Sequence, residues 1–169
     1  MKLYKYFLPV VLSSTSLFGI TASWIPTGGG SWNTGTNWTG GVAPVNVDDN
    51  AQLLGTITGP STITIGNPIS LGSLLFDNAA QSYTVDASTL TFQTSIPPAT
   101  VTVNNGTHTI SSAVSLASPL TINQSGALLT LSGVISGTQG ITYAGPHPVN
   151  IAGTVANTYN GLTTVTGGN

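Results

Sequence analysis

The sequence predicts an all-β protein, and specifically a right-handed parallel β-helix with an aromatic N-terminal cap. Three observations carry that expectation. Charged residues make up 4% of the 169-residue chain, while Gly, Thr, Ser and Asn supply its polarity. Thr suits half-buried strands, and Gly and Asn suit tight turns. From Ala51 onward apolar residues alternate with Thr and Ser, as in Thr62-Ile63-Thr64-Ile65, Thr89-Leu90-Thr91-Phe92 and Thr100-Val101-Thr102-Val103. Such alternation points one side chain inward and the next outward along a strand. Finally, apolar-Thr-apolar triads or close variants begin at Leu90, Val101, His108, Leu120, Leu129, Ile141, Val149 and Thr163. Starts two along lie about 20 residues apart, which matches a solenoid rung built from two short strands and their turns. A β-sandwich is the alternative, because it too places a strand every 8 to 12 residues or so.

The elements follow in order. Lys2 and Lys5 open a short basic start, followed by apolar stretches at 6–12 and 17–20. Residues 1–22 therefore read as a secretory signal peptide, with cleavage between Ala22 and Ser23. Ser13, Ser14, Thr15 and Ser16 interrupt the apolar run, which is too short for a membrane anchor. Residues 23–50 hold Trp24, Trp32 and Trp38 and are expected to form the cap. Residues 51–169 are expected to be solenoid rungs. Their runs are punctuated at Gly59-Pro60, Asn67-Pro68, Pro97-Pro98 and Asn104-Asn105-Gly106. The open last rung gives an expectation of end-to-end self-association.

Charge narrows the function classes. Lys2 and Lys5 are the only cations, and both leave with the signal peptide. Asp48, Asp49, Asp77 and Asp86 are the only anions; Arg, Glu and Cys are absent. Nucleic-acid binding needs a basic patch. Thiolate zinc sites and disulfides need Cys. Neither class fits, no cofactor or metal is expected, and the mature chain carries no segment suited to membrane insertion.

The chemistry-bearing residues are few. Asp48-Asp49 suggests a hard-cation site or, more simply, a turn or cap. Asp77 and Asp86 sit beside turns or strand ends, and a glycosidase pair would need aromatic subsites around them. His108 lies in an alternating run and is expected to face outward. His147, between Pro146 and Pro148, is expected in a surface turn. No G-x-S-x-G elbow accompanies either His. Trp24, Trp32 and Trp38 admit two readings: a hydrophobic plug over the first rung, or a sugar-stacking platform.

Two stretches resemble a known family. The segment SWNTGTNWTGGVAPVNVDDNAQL (31–53) is similar to the N-terminal region of bacterial autotransporter passengers with autotransporter-associated β-strand repeats. The segment 126–168 looks like one unit of that repeat. It carries Leu129-Thr130-Leu131, Gly133, Gly137, Gly140, Asn157, Tyr159 and Gly161. Tyr143 and His147 depart from the repeat pattern, and no run of barrel strands with an aromatic girdle follows. The resemblance implies an N-terminal passenger segment, exported to the cell surface or beyond and not an enzyme. It would act as a stalk or adhesin toward host-surface or bacterial glycans or proteins. A carbohydrate-binding module using the three Trp is the alternative function.

Overall fold

The structure is a computed structural model, and it describes residues 19–167. The signal-peptide reading of 1–18 lies outside the described residues. Among the described residues the chain forms a parallel β-solenoid whose strands stack turn upon turn. An incomplete first turn holds β1 (Thr21–Ser23) and β2 (Gly30–Ser31). Four complete turns follow. They are β3 (Asn50–Leu53), β4 (Ser61–Ile65) and β5 (Ile69–Leu71); then β6 (Ser73–Asp77), β7 (Tyr83–Ala87) and β8 (Leu90–Phe92). Next come β9 (Ala99–Asn105), β10 (Thr107–Ile110) and β11 (Val114–Leu116); then β12 (Leu120–Gln124), β13 (Leu128–Leu131) and β14 (Ile135–Gly137). The last strands are β15 (Ile141–Ala144), β16 (Val149–Ile151) and β17 (Thr163–Val165).

Equivalent strands of successive turns pair into three sheets. The longest runs β1-β3-β6-β9-β12-β15-β17, the second β16-β13-β10-β7-β4-β2, and the third β14-β11-β8-β5. Every ladder between these strands is parallel, as in β9–β12 and β12–β15. That overturns the β-sandwich alternative, because sandwich sheets are built from antiparallel strands. Each complete turn has three strands, not two. The triads mark strands of the first two sheets and β8 of the third, but the other third-sheet strands carry Ser at the centre of Ile69–Leu71, Val114–Leu116 and Ile135–Gly137. A pattern keyed on Thr passes over those strands. The register also varies. Leu120 pairs with Ile141, but Gly30 pairs with Ile63, because longer corners are inserted in the early turns.

The core is a set of columns running up the solenoid. In the first sheet Ala51, Leu74, Val101 and Ile122 stack in register, all fully buried. In the third, Ile69, Leu90, Val114 and Ile135 do the same. Each such aliphatic side chain contributes about 1.5–3 kcal/mol by leaving water. Neighbouring turns supply both the apolar contacts and the ladder hydrogen bonds, so stability accrues turn by turn.

The boundary between residues 22 and 23 needs correcting as a structural boundary. Ala22 and Ser23 both lie in β1, where Ala22 pairs with Ala51 and Ser23 with Gln52. Ala22 is 1% exposed. Among the described residues the first strand therefore starts at Thr21, and residues 23–50 continue from it as part of the first described turn. Cleavage between Ala22 and Ser23 would cut through that strand.

The aromatic cluster plugs this first turn. Trp24 and Trp38 meet edge to face, with centroids 5.2 Å apart and planes at 81°; Trp32 and Trp38 lie 4.8 Å apart. All three are at most 1% exposed. Two 3-10 turns, Gly35–Asn37 and Thr39–Gly41, bring Trp38 back to bridge antiparallel to Trp24. In this return the Ser23 amide donates to Thr39 Oγ1 at 2.9 Å, and the Ile25 amide to the Asn37 carbonyl at 3.1 Å. The outer edge beside β1 is thereby occupied, which removes a template for edge pairing.

Candidate functional site

The alternation that buries one residue of each strand exposes its neighbour, and the in-register stacking sorts those neighbours into ladders. On the first sheet Thr21, Asn50, Ser73, Thr100, Thr121, Thr142 and Thr164 form one column across all seven strands. On the second sheet Thr62, Thr84, Thr109, Thr130 and Asn150 form another. On the third, Ser70, Thr91, Ser115 and Ser136 form the last. Hydroxyls and amides therefore repeat at the inter-strand spacing of about 4.8 Å along all three outer faces. None of these positions is charged.

The first face is also concave near its start. A shallow groove across β1, β3, β6 and β9 is lined by Thr21, Asn50, Gln52, Ser73, Leu75 and Thr100, with Thr102 at its rim. Ser73 Oγ donates to Asn50 Oδ1, and Ser23 Oγ donates to Gln52 Oε1 at 2.8 Å. These bonds orient the amides of Asn50 and Gln52. Half-buried Leu75, between Gln52 and Thr102 in the second outward column, gives the groove an apolar patch flanked by polar groups.

The residues singled out from sequence fall elsewhere. Trp24, Trp32 and Trp38 do not form a sugar platform. Their rings are buried, and each indole N–H donates to a backbone carbonyl: Gly28 at 3.0 Å, Pro44 at 2.8 Å and Trp32 at 2.7 Å respectively. A stacking surface needs an exposed ring face, so the plug reading replaces the platform. The signal that separates the two is the Gly-rich loop that turns Trp38 back over β1.

Asp49 is a buried cap. Its Oδ1 accepts the Ile20 amide at 2.9 Å, while Oδ2 accepts the Val45 and Asn46 amides at 2.9 and 2.8 Å. Asp48 has φ 68° and points away toward a later corner. Its carboxylate accepts the Ser95 amide at 2.6 Å, Ser95 Oγ at 2.7 Å and Thr94 Oγ1 at 2.7 Å. The Ser95 hydroxyl and amide, then the Thr94 hydroxyl, hold its pKa below the ordinary Asp value. The two carboxylates diverge and are each filled by N–H and O–H donors, so the structure uses them as corner ties rather than as a joint cation site.

Asp77 accepts Asn105 Nδ2 at 2.7 Å, and Asp86 accepts Ser111 Oγ at 2.8 Å. They lie on different sheets, β6 in the first and β7 in the second. His108 corrects the outward expectation: it is fully buried. Its Nδ1 accepts the Tyr83 amide at 3.1 Å, which leaves Nε2–H to donate to the Asn105 carbonyl at 2.8 Å. Burial lowers its pKa from the ordinary His value. His147 is exposed in the corner before β16, as expected.

The repeat-like segment forms the last turns. Leu129 and Leu131 face inward from β13 and Thr130 faces outward. Gly133 precedes β14 and Gly137 ends it, where a Cβ on Gly137 would stand 2.5 Å from the Leu116 carbonyl oxygen. Gly140 and Gly161 stack closely at equivalent corners. Asn157 continues the third sheet: its Oδ1 accepts the Ile135 amide at 2.8 Å, and the Thr158 amide donates to the Ile135 carbonyl at 2.8 Å. Tyr159 OH lies 2.7 Å from Thr163 Oγ1. Beside it, burial and then Tyr159 itself push the Tyr143 pKa up to about 12.

No protein-family model matches the chain, and no solved structure matches it. Among curated proteins, the chain is 32% identical over 148 residues to the adhesin BmaC autotransporter of Brucella suis biovar 1 (strain 1330). The chain resembles an autotransporter passenger segment. The alignment covers 83% of this chain and 4% of that protein, so the chain matches a small part of a much longer relative. The aligned length exceeds either stretch singled out from sequence, so the similarity reaches beyond them into the strand-rich middle.

Proposed function

We propose that this chain is an exported, non-catalytic passenger segment of the bacterial surface that serves as a stalk and adhesive face. The single observation that carries this is the set of hydroxyl and amide ladders on all three outer faces. Such ladders present hydrogen-bonding groups at a fixed repeat along a rigid rod, which suits extended contact with another surface. The similarity to a protein named as an autotransporter adhesin supports the same reading. Full-length autotransporters would add further turns and a translocator; any such part belongs to the proposal and not to these residues.

The groups that would carry catalysis are engaged in the fold. Both nitrogens of His108 are bonded to backbone, and Asp49 is saturated by amides. Asp77 and Asp86 bond neighbouring Asn and Ser side chains. That supports a binding role over an enzymatic one.

Display of the chain on a non-adherent bacterium tests the proposal. Adhesion to host cells or to neighbouring bacteria, lost when Thr109 and Thr130 are changed to Asp, is the expected result. A displayed, folded chain that promotes no adhesion overturns it.

A further inference from the structure

The first sheet carries a groove as well as a ladder. Along the groove run Asn50, Ser73 and Thr100 in one outward column and Gln52, Leu75 and Thr102 in the other. All six are partly exposed. The lining carries no acid or base. Its long direction crosses four strands, a span of about 14 Å at the inter-strand spacing.

We propose that this groove binds a neutral, extended oligosaccharide lying along the solenoid axis. The inference rests on the adhesive reading above and names the ligand class of one face. A pyranose has an apolar C–H face and a rim of hydroxyls. Leu75 matches the first, and the flanking Thr, Ser, Asn and Gln side chains match the second, each able to donate and accept. The pre-bonded pairs Ser73–Asn50 and Ser23–Gln52 hold the amides in place before a ligand arrives, which lowers the ordering cost of binding. Charge selects the class. Residues 19–167 contain no Lys or Arg, so an anionic polymer meets no counter-charge, and the groove has no carboxylate for a cationic one. A flat ordered-water lattice fits less well. The second outward column changes chemistry from Gln52 to Leu75 to Thr102, so regularity runs in one direction only.

The test is calorimetric titration of the full chain with cello- and manno-oligosaccharides of two to six units. Binding should tighten with length until the span from β1 to β9 is filled, by about tenfold from disaccharide to tetrasaccharide, and then level off. Leu75→Asp and, separately, Thr100→Asp should each weaken binding about tenfold or more. Val155→Asp, an exposed corner residue outside both the groove and the ladders, should leave it unchanged. Circular dichroism checks that each variant keeps its strands; if Leu75→Asp unfolds, Thr100→Asp alone decides. Absence of binding to every oligosaccharide overturns the proposal, as does binding that Val155→Asp removes and Thr100→Asp does not. Ice shaping by the chain without oligosaccharide binding assigns the face to ordered water and likewise overturns it. Displayed cells that adhere while the chain binds none of these sugars sink the ligand class and leave the adhesive reading standing.

Discussion

The imidazole of His108 lies nearly flat on the ring of Phe76, with centroids 4.8 Å apart and planes 15° apart. Phe76 lies one residue before the end of β6 in the first sheet, and His108 one residue after the start of β10 in the second sheet of the next turn. A polar side chain is thus built into the inward column that also holds Ser61, Tyr83 and Leu129. It is tolerated because both ring nitrogens have backbone partners.

That arrangement makes stability depend on pH. Burial lowers the folded pKa of His108 below the unfolded value near 6.5, although the Asn105 carbonyl and the Asp77 charge pull the other way. The unfolded chain then binds the proton more readily. His108 imposes no penalty above about pH 6.5, and stability falls as pH drops below that value until the folded pKa is passed. Urea midpoints measured from pH 8 to 5 should decline over this window. In His108→Gln the decline attributable to this residue should vanish; an unchanged slope would refute the assignment.

Asp49 ties three amides from two separate segments, at Ile20, Val45 and Asn46. Asp49→Ala strips the acceptor from donors that are then poorly solvated. The expected loss is about 3 kcal/mol, read from urea unfolding. Half-buried Asp48, changed to Asn, keeps one acceptor oxygen for its Thr94 and Ser95 donors and should cost less.

Gly137 has φ 117°, a region that L side chains rarely adopt, and faces the Leu116 carbonyl of the turn below. Gly137→Ala should therefore destabilise by more than about 1 kcal/mol. Gly28, with open space around its Cβ direction and no positive φ, should accept Ala with little change. Thermal melts of the two variants give the comparison directly.

Ser112 Oγ is buried without a hydrogen-bond partner. Ser112→Ala removes a hydroxyl that lost its water on folding and gained nothing in return. Stability should rise by about 1 kcal/mol, and a fall in the urea midpoint would show that the hydroxyl has a partner after all.

The triad frame in the sequence already located eight strands in their correct phase, from Leu90 to Thr163. It also contained the His108 result, since the triad starts face inward. Reading His108 as outward applied the chemistry of the residue type against the phase of its own strand. Most of the third sheet was hidden for a different reason: its strands are three residues long, and Ser replaces Thr at the centre of three of the four. Three residues are too few to establish alternation. The Trp cluster was legible as aromatic mass, but the choice between plug and platform turned on the loop at 34–41, whose backbone path composition does not specify.

Local sequence, through side-chain alternation and turn residues, determined that this chain is a stack of short strands with hydroxyls on one side and aliphatics on the other. Alternation has a period of two whatever the partner strand, so it fixes which residues are inward but not what they meet. The tertiary structure decided the rest: three strands to a turn, a first described strand starting at Thr21, and ladders that align Thr100, Thr121, Thr142 and Thr164 across four turns. Those facts depend on inter-turn register, which is set by how corners of unequal length close onto the same parallel hydrogen bonds.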